Sequence, residues 1–373
     1  MGLKLASNKK KNEFTILKLK NINQSNNFNL NGVNKVNFNL TYNKKTGDLF
    51  LKNPTNHKNL ISPHRWLKYN EPENHIKKIT KVYEKYFARK KNFVLGITYK
   101  DQSFINCINN KIVSKKYIID PSKDLKLKKN KGIELIQDKL TKIKSISKIK
   151  SHKPNLIIVR HIWEHFYNQK KFINFLKSIS NEETIIYFEI PDCEKSIINL
   201  DYSMLWEEHI HYYSEKTFLR SIEKFNFEVI KNGRFKYPYE DVLYAFFKLK
   251  KNKITSSTKV SKDVRNIIKY GKNFNNIKEN LTRKLNLISN SGKVGVIGAS
   301  HMANSVISFF DLDKYISDIY DGNKHKIGKY YFNNRIKIYD IEKILINNCK
   351  NFIIAINPMH KKFIKSIKSK LNK

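Results

Sequence analysis

Short apolar runs separated by polar loops recur along this chain, in the rhythm of a parallel α/β sheet. Leu156–Val159 and Ile185–Glu189 are the clearest, each rich in β-branched or aromatic residues and each followed by a loop or a helix. Phe93–Ile97 reads as an earlier buried strand and Lys116–Asp120 as another that ends in an acid. From Glu71 to Lys90, apolar residues at Ile76, Ile79, Val82, Tyr83 and Phe87 predict an amphipathic helix. Thr217–Phe225 is helical, Phe227–Lys231 resumes as a strand, and a hairpin-like stretch over Gly233–Lys250 closes the domain. The first 55 residues, rich in Asn and Lys, alternate in Val36–Leu40 and Leu49–Leu51 and read as a small β-rich or partly ordered lead-in.

Residues 251–290 are polar with helical spacing and predict a connecting helix or pair of helices. A second α/β unit then begins. Lys293–Ile297 is a strand, Gly298-Ala-Ser-His-Met-Ala303 turns into a helix, Ile316–Tyr320 is a strand ending at Asp321-Gly322, and Phe352–Ile356 is a further strand. That is half a mononucleotide-binding fold, although the turn lacks the full GxGxxG and so argues against NAD. The expected division is an extension over 1–70, an α/β domain over 71–250, a helical connector over 251–290 and a second α/β domain over 291–373.

Charge changes this picture little. The formal net charge of +41 would ordinarily suggest a polyanion partner, yet the excess is mostly Lys, spread along the whole chain beside abundant Ile and Asn. Such a joint bias reads as a composition effect, so neither a nucleic-acid nor a membrane partner is expected, though the charge favours anionic small molecules. Cys107, Cys193 and Cys349 lie far apart with no CxxC pair, which suits a reducing cytoplasm and no metal site. No run approaches eighteen apolar residues, and the Lys-rich start has no apolar signal core. A cytoplasmic protein is expected; oligomeric state leaves no mark in the sequence.

Candidate chemistry collects in the loops after the strands, where open α/β sheets bind ligands. Arg160, His161, Glu164 and His165 follow one strand, and Glu189, Pro191 and Asp192 the next. Glu207, Glu208, His209, His211, Tyr212 and Tyr213 come after them. Trp163 and Phe166 have helical spacing and read as core.

These residues resemble the sugar C-methyltransferases, S-adenosylmethionine (SAM)-dependent enzymes that act on nucleotide-linked deoxysugars. The matching segments run in order: LIIVRHIWEHF, FEIPD, WEEHIHYYS, VGVIGASHMANSV, DIYDGNKHKIGKY and NPMH. The resemblance covers roughly residues 35–373 and implies two Rossmann-like doubly wound domains, the first of class I methyltransferase type, behind a short N-terminal extension. The implied activity is methyl transfer from SAM to a nucleotide-activated sugar, in surface-polysaccharide or related biosynthesis. C-methylation beside a carbonyl needs a base, and a histidine suits that task. By resemblance His209 is the base, Glu208 its neighbour and Tyr212 a residue lining the sugar; the alternative for His209 and His211 is a surface or capping histidine.

The resemblance also assigns a donor site: Asp120 holds the ribose hydroxyls, because a carboxylate accepts two hydrogen bonds, or is a plain strand-end acid. Gly96, Asp101, Arg160 and His161 line the rest. His211, His301, Asp321 and Lys324 are candidate substrate contacts, with Asp321 equally readable as the end of its strand. Three departures stand out. Asn43-Lys-Lys-Thr46-Gly47 stands where the family has a zinc-binding CxxCG, so that metal site is lost. Thr98 and Gln102 take the two glycine positions of the donor turn, where a side chain obstructs close approach of the backbone. Trp206 and Glu207 replace a Tyr and a His. The donor-turn change keeps a second reading open, a non-catalytic sugar-nucleotide-binding protein that has lost SAM.

Overall fold

Period-two alternation builds the first sheet. In Lys35–Asn43 (β2), Val36, Phe38, Leu40 and Tyr42 all point inward and are buried. This strand pairs antiparallel with Glu13–Asn23 (β1), Leu19 opposite Phe38, and with Leu49–Leu51 (β3), Leu51 opposite Leu40. The β2–β3 turn, where a CxxCG is missing, is held by Asn43, whose side-chain oxygen accepts from the amides of Lys45 (2.9 Å) and Thr46 (3.1 Å). The computed structural model describes residues 12–26, 28, 35–62, 64, 66–67, 69, 71–127, 132–140, 149, 153–250, 263–331 and 335–371.

Helix α1 covers Ile76–Tyr86, starting at the first residue of the apolar spacing and five residues after the start of the expected span. Pro72 disfavours helix in the residue before it, and the first helical turn is set by Ile76, whose amide donates to Glu73 (3.0 Å). Asn92–Gly96 (β4), α2 (Gln102–Cys107), Val113–Ile118 (β5), α3 (Ile133–Leu140), Leu156–Arg160 (β6), α4 (Gln169–Ile179) and Ile185–Asp192 (β7) follow. A two-residue strand, His211–Tyr212 (β8), precedes α5 (Glu215–Glu223), Phe227–Phe235 (β9) and Asp241–Leu249 (β10). The sheet order is β5-β4-β6-β7-β10-β9, parallel through β7 and antiparallel for the last two. Alternation loads both faces: Val94, Leu156 and Ile158 pack on α1 and α2, while Leu95, Ile157 and Val159 pack with α3, α4 and α5. Trp163 and Phe166 lie in that second core. Because β5 and β6 flank β4 on opposite sides, the chain reverses between β4 and β6, leaving a crevice at their carboxyl ends.

The C-terminal part begins with α6 (Asp263–Asn290); residues 251–262 of the expected connector lie outside the described ones. Val294–Ile297 (β11), α7 (His301–Phe309), Asp318–Asp321 (β12), Tyr330–Tyr331 (β13), Ile336–Asp340 (β14), Asn351–Ile354 (β15) and α8 (Lys361–Leu371) complete it. Its sheet, β13-β14-β12-β11-β15, is parallel except at β13. Ser300 caps α7 by accepting from the Ala303 amide at 3.1 Å. Both sheet domains are α/β, of Rossmann-like type.

Two compact units result, and they do not follow the four consecutive segments expected. One takes in Met1–Trp66, Lys195–His209 and Ser261–Lys373; the other takes in Leu67–Glu194 and Ile210–Val260. Within the first, Phe38 of β2 meets Phe309 of α7 with ring centroids 5.1 Å apart, and the Tyr202 hydroxyl donates to the Tyr270 carbonyl of α6 at 2.5 Å. Among the described residues no helix is long and apolar enough to cross a membrane.

Candidate active site

The crevice at the ends of β4 and β6 is lined by charge. Glu189, inside β7 and fully buried, is the hub: Oε1 accepts from Arg160 Nε and lies 3.0 Å from His161 Nε2, while Oε2 lies 3.0 Å from His75 Nε2 and 2.6 Å from the donating Tyr187 hydroxyl. Burial alone would raise this carboxyl, but Arg160, His161 and His75 outweigh it and hold it well below the usual range. Arg160 continues outward, its Nη1 donating to the Lys100 carbonyl (2.5 Å) and the Ser103 hydroxyl (2.7 Å) and facing Glu73 at 3.4 Å. Its Nη2 is buried and has no hydrogen-bond partner among the described residues.

His161 adopts φ 47°, a left-handed conformation uncommon outside glycine, which sets its ring between Glu189 and Glu71. Glu71 in turn pairs with the buried Lys100 ammonium, which also donates to the His161 carbonyl at 3.0 Å. Burial pushes Glu71 up, yet His161 and Lys100 bring it down to about 2; burial lowers His161 and Lys100, yet Glu71 leads in raising both. Nearby Glu240 is driven up to about 8 by burial, and then by Glu71, Glu164 and Asp192.

The predicted donor residues fall differently. Gly96 is packed so closely that an added Cβ would sit 3.0 Å from Asp101 Cβ and Ile105 Cδ1. Asp101 is turned away from any ligand: one oxygen accepts from the amides of Ile97 (2.7 Å) and Thr98 (2.8 Å), the other from the Arg160 amide (2.9 Å). Those bonds cap the donor turn from inside, and burial lifts the carboxyl to about 7. Thr98, buried, completes that capping box, while Gln102 is exposed at the start of α2. Asp120 stands just past β5, one oxygen held by the amides of Ser122 (2.7 Å) and Lys123 (2.9 Å).

A second cluster lies in the other unit. Trp206 stands between two imidazoles, its ring 4.9 Å from His209 and 4.6 Å from His301 at the start of α7. Glu208, buried, faces the Asn26 amide at 3.5 Å. Glu207 accepts from the Ser25 amide (2.7 Å) and hydroxyl (2.8 Å), and Asn304 of α7 donates to the Ser25 carbonyl (2.7 Å). This unit therefore brings the predicted base His209 and His301 to one indole, with Glu208 next to His209 in the chain. Asp321 is occupied by its own turn, accepting from the amides of Ala299 (2.8 Å) and Asn323 (2.8 Å) and from Lys326 (3.2 Å). Lys324 is exposed beside it. Tyr212 and His211 belong to the other unit, the one with the crevice; Tyr212 is buried, and burial lowers His211 to about 3.

Sequence reasoning passed over Glu71, His75, Lys100 and Glu240 and named Glu189 only as a rim acid. The available signal was Glu189 itself, a carboxylate inside an apolar strand, which requires partners.

Two family models match the sequence: a methyltransferase domain over residues 77–232 and a C-methyltransferase C-terminal domain over residues 255–372. No curated protein matches. Among solved structures the chain is similar to the N-methyltransferase NodS of Bradyrhizobium japonicum WM9, at 10% identity over 48% of this chain and 97% of that one, with TM-score 0.31. It is similar to a SAM-dependent methyltransferase of Aquifex aeolicus, at 15% identity over 48% and 99%, with TM-score 0.31. It is likewise similar to magnesium protoporphyrin IX methyltransferase of Synechocystis PCC 6803 with bound S-adenosylhomocysteine, at 7% over 48% and 83%, with TM-score 0.30. The two family models follow one another along most of the chain, so its sequence is similar to a methyltransferase domain followed by a C-methyltransferase C-terminal domain.

Proposed function

We propose that this enzyme methylates carbon in a nucleotide-linked keto-deoxysugar, with His209 as the base. The observation that carries the reading is the packing of His209 and His301 against Trp206, with buried Glu208 next to His209 in the chain, in the unit that holds the C-methyltransferase C-terminal domain. His209 takes the proton from the carbon beside the substrate carbonyl, with the carboxylate of Glu208 next to it in the chain. His301 and Lys324 meet the nucleotide diphosphate. SAM, when bound, supplies an electrophilic methyl group on its sulfonium.

The residues at the β4/β6 crevice fit that cofactor at both ends. Lys100, Arg160 and His161 gather positive charge suited to its carboxylate, and Arg160 Nη2 is a buried donor awaiting an acceptor. Asp120, at the end of β5, suits the ribose hydroxyls.

The test separates proton abstraction from methyl transfer. The purified enzyme is incubated in D2O with a nucleotide-linked keto-deoxysugar and no SAM, and deuterium uptake at the carbon beside the carbonyl is followed by mass spectrometry. Wild type exchanges that hydrogen, and His209→Ala slows exchange about a hundredfold or more while still binding SAM. Equal exchange in the two proteins removes His209 from the role.

A further inference from the structure

We propose that Glu71 is an internal ligand of the donor crevice: its carboxylate occupies the Lys100–His161 cation pair that takes the methionine carboxylate of SAM, and it must leave before the donor binds. The inference rests on the SAM reading of this crevice.

Glu71, Glu73 and His75 lie two residues apart in the segment before α1, and each reaches a different member of the buried network. Glu71 pairs with Lys100 and lies 3.5 Å from His161, Glu73 faces Arg160 at 3.4 Å, and His75 lies 3.0 Å from Glu189. The segment is thus a strap laid across the carboxyl ends of β4 and β6, where a doubly wound sheet receives its ligand. Three carboxylates lie near His161, Glu189 at 3.0 Å, Glu71 at 3.5 Å and Glu164 at 3.9 Å, and the first two are not equivalent. Glu189 is 0% exposed and built into the middle of the sheet, with four partners. Glu71 is 19% exposed at its side chain and comes from outside the sheet. Lys100 is only 3% exposed and has Glu71 as its sole acidic partner within ion-pair distance among the described residues.

A buried ammonium requires an anion, so Glu71 leaves only in exchange for another. The carboxylate of an amino-acid moiety matches it in charge, planarity and number of accepting oxygens, and Arg160 Nη2 offers an incoming anion a donor that Glu71 does not use. The exchange conserves the charge of the crevice, and its cost is the opening of the strap. A binding-competent state populated one part in ten lowers apparent affinity about tenfold.

The experiment measures binding rather than turnover. S-adenosylhomocysteine and 5′-methylthioadenosine, which lacks the amino-acid group, are titrated calorimetrically into wild type, Glu71→Gln and Lys100→Gln. The expected result is binding of S-adenosylhomocysteine about tenfold tighter in Glu71→Gln, no gain for methylthioadenosine, and weaker S-adenosylhomocysteine binding in Lys100→Gln. Glu71→Asp, which keeps the charge on a shorter arm, gives a smaller gain and serves if Glu71→Gln does not fold. If wild type binds S-adenosylhomocysteine and neither Glu71 variant binds it more tightly, the internal ligand is wrong while the donor site stands. An equal gain for methylthioadenosine also overturns it, because the competition is then not for a carboxylate. If none of the proteins binds either compound, the SAM reading of the crevice itself fails.

Discussion

Replacing Glu189 with Gln keeps the shape of the hub and removes its charge. The carboxylate is fully buried and meets Arg160 Nε, His161 Nε2 and His75 Nε2, each at 3.0 Å, and the Tyr187 hydroxyl at 2.6 Å. An amide group in its place turns its own N–H donors toward two of these and leaves the buried guanidinium without its closest counter-ion. Breaking a buried pair on one side costs about 3–5 kcal/mol, roughly a fifth or more of a typical domain's stability. Urea unfolding reads the loss. Trp163 is buried in the core of this unit, so a Trp66→Phe/Trp206→Phe background isolates its fluorescence. The pH dependence gives a second check. Glu189 is held well below its ordinary 4.5, so its stabilisation is complete above about pH 4.5 and is lost as pH falls through the lower folded value. The gap between wild type and Glu189→Gln should therefore be full at pH 7 and narrow in acid. A gap under about 1 kcal/mol at pH 7, or one that stays constant down to pH 3, refutes the account of Glu189 as a charged hub.

Glu240 runs the opposite way. Its carboxyl is raised to about 8, so it weakens the fold progressively as pH rises from about 4.5 to 8, and Glu240→Gln should flatten that decline and be the more stable protein at pH 9, by a few kcal/mol at about 1.4 per pKa unit; denaturation midpoints across that range check it. Gly298 adopts φ 107°, and an added Cβ would lie 2.6 Å from the Ala355 carbonyl oxygen. Gly298→Ala should cost about 1–3 kcal/mol from backbone strain alone, whereas Gly322→Ala, whose added carbon meets only Ile341 at 3.9 Å, should stay within about 0.5; thermal unfolding compares them.

Local patterns in the sequence carried the strands well and the partnerships poorly. Leu156–Val159 is legible because four successive apolar residues suit a strand buried on both faces, and it became β6. The helix over Glu71–Lys90 was read too long: its apolar spacing begins only at Ile76, where α1 starts, and the polar residues before it are the strap. The rim histidines and carboxylates were visible as residue types, but pairing is a tertiary fact: Glu71 and Lys100 are 29 positions apart, and Arg160 and Glu189 also 29. Asp101 shows the limit from the other side. An acid in a turn after a strand looks like a ligand contact, and here both its oxygens are consumed by backbone amides whose direction no side-chain pattern reveals. The extension read as a separate lead-in likewise belongs to a unit that also takes in Lys195–His209 and Ser261–Lys373.

That interleaving has a consequence for synthesis. The strands before Trp66 find their partners in α6 and α7, after Ser261, and nearly 200 residues must be made in between. At about 5–20 residues per second the first sheet waits roughly 10–40 s with Phe38 and its apolar face uncovered, while the unit of Leu67–Glu194 and Ile210–Val260 emerges and folds. Chaperone demand during production should therefore fall on the start of the chain, and a nonsense mutation near residue 260 should release a nascent protein with one finished domain and one sticky, unpartnered sheet.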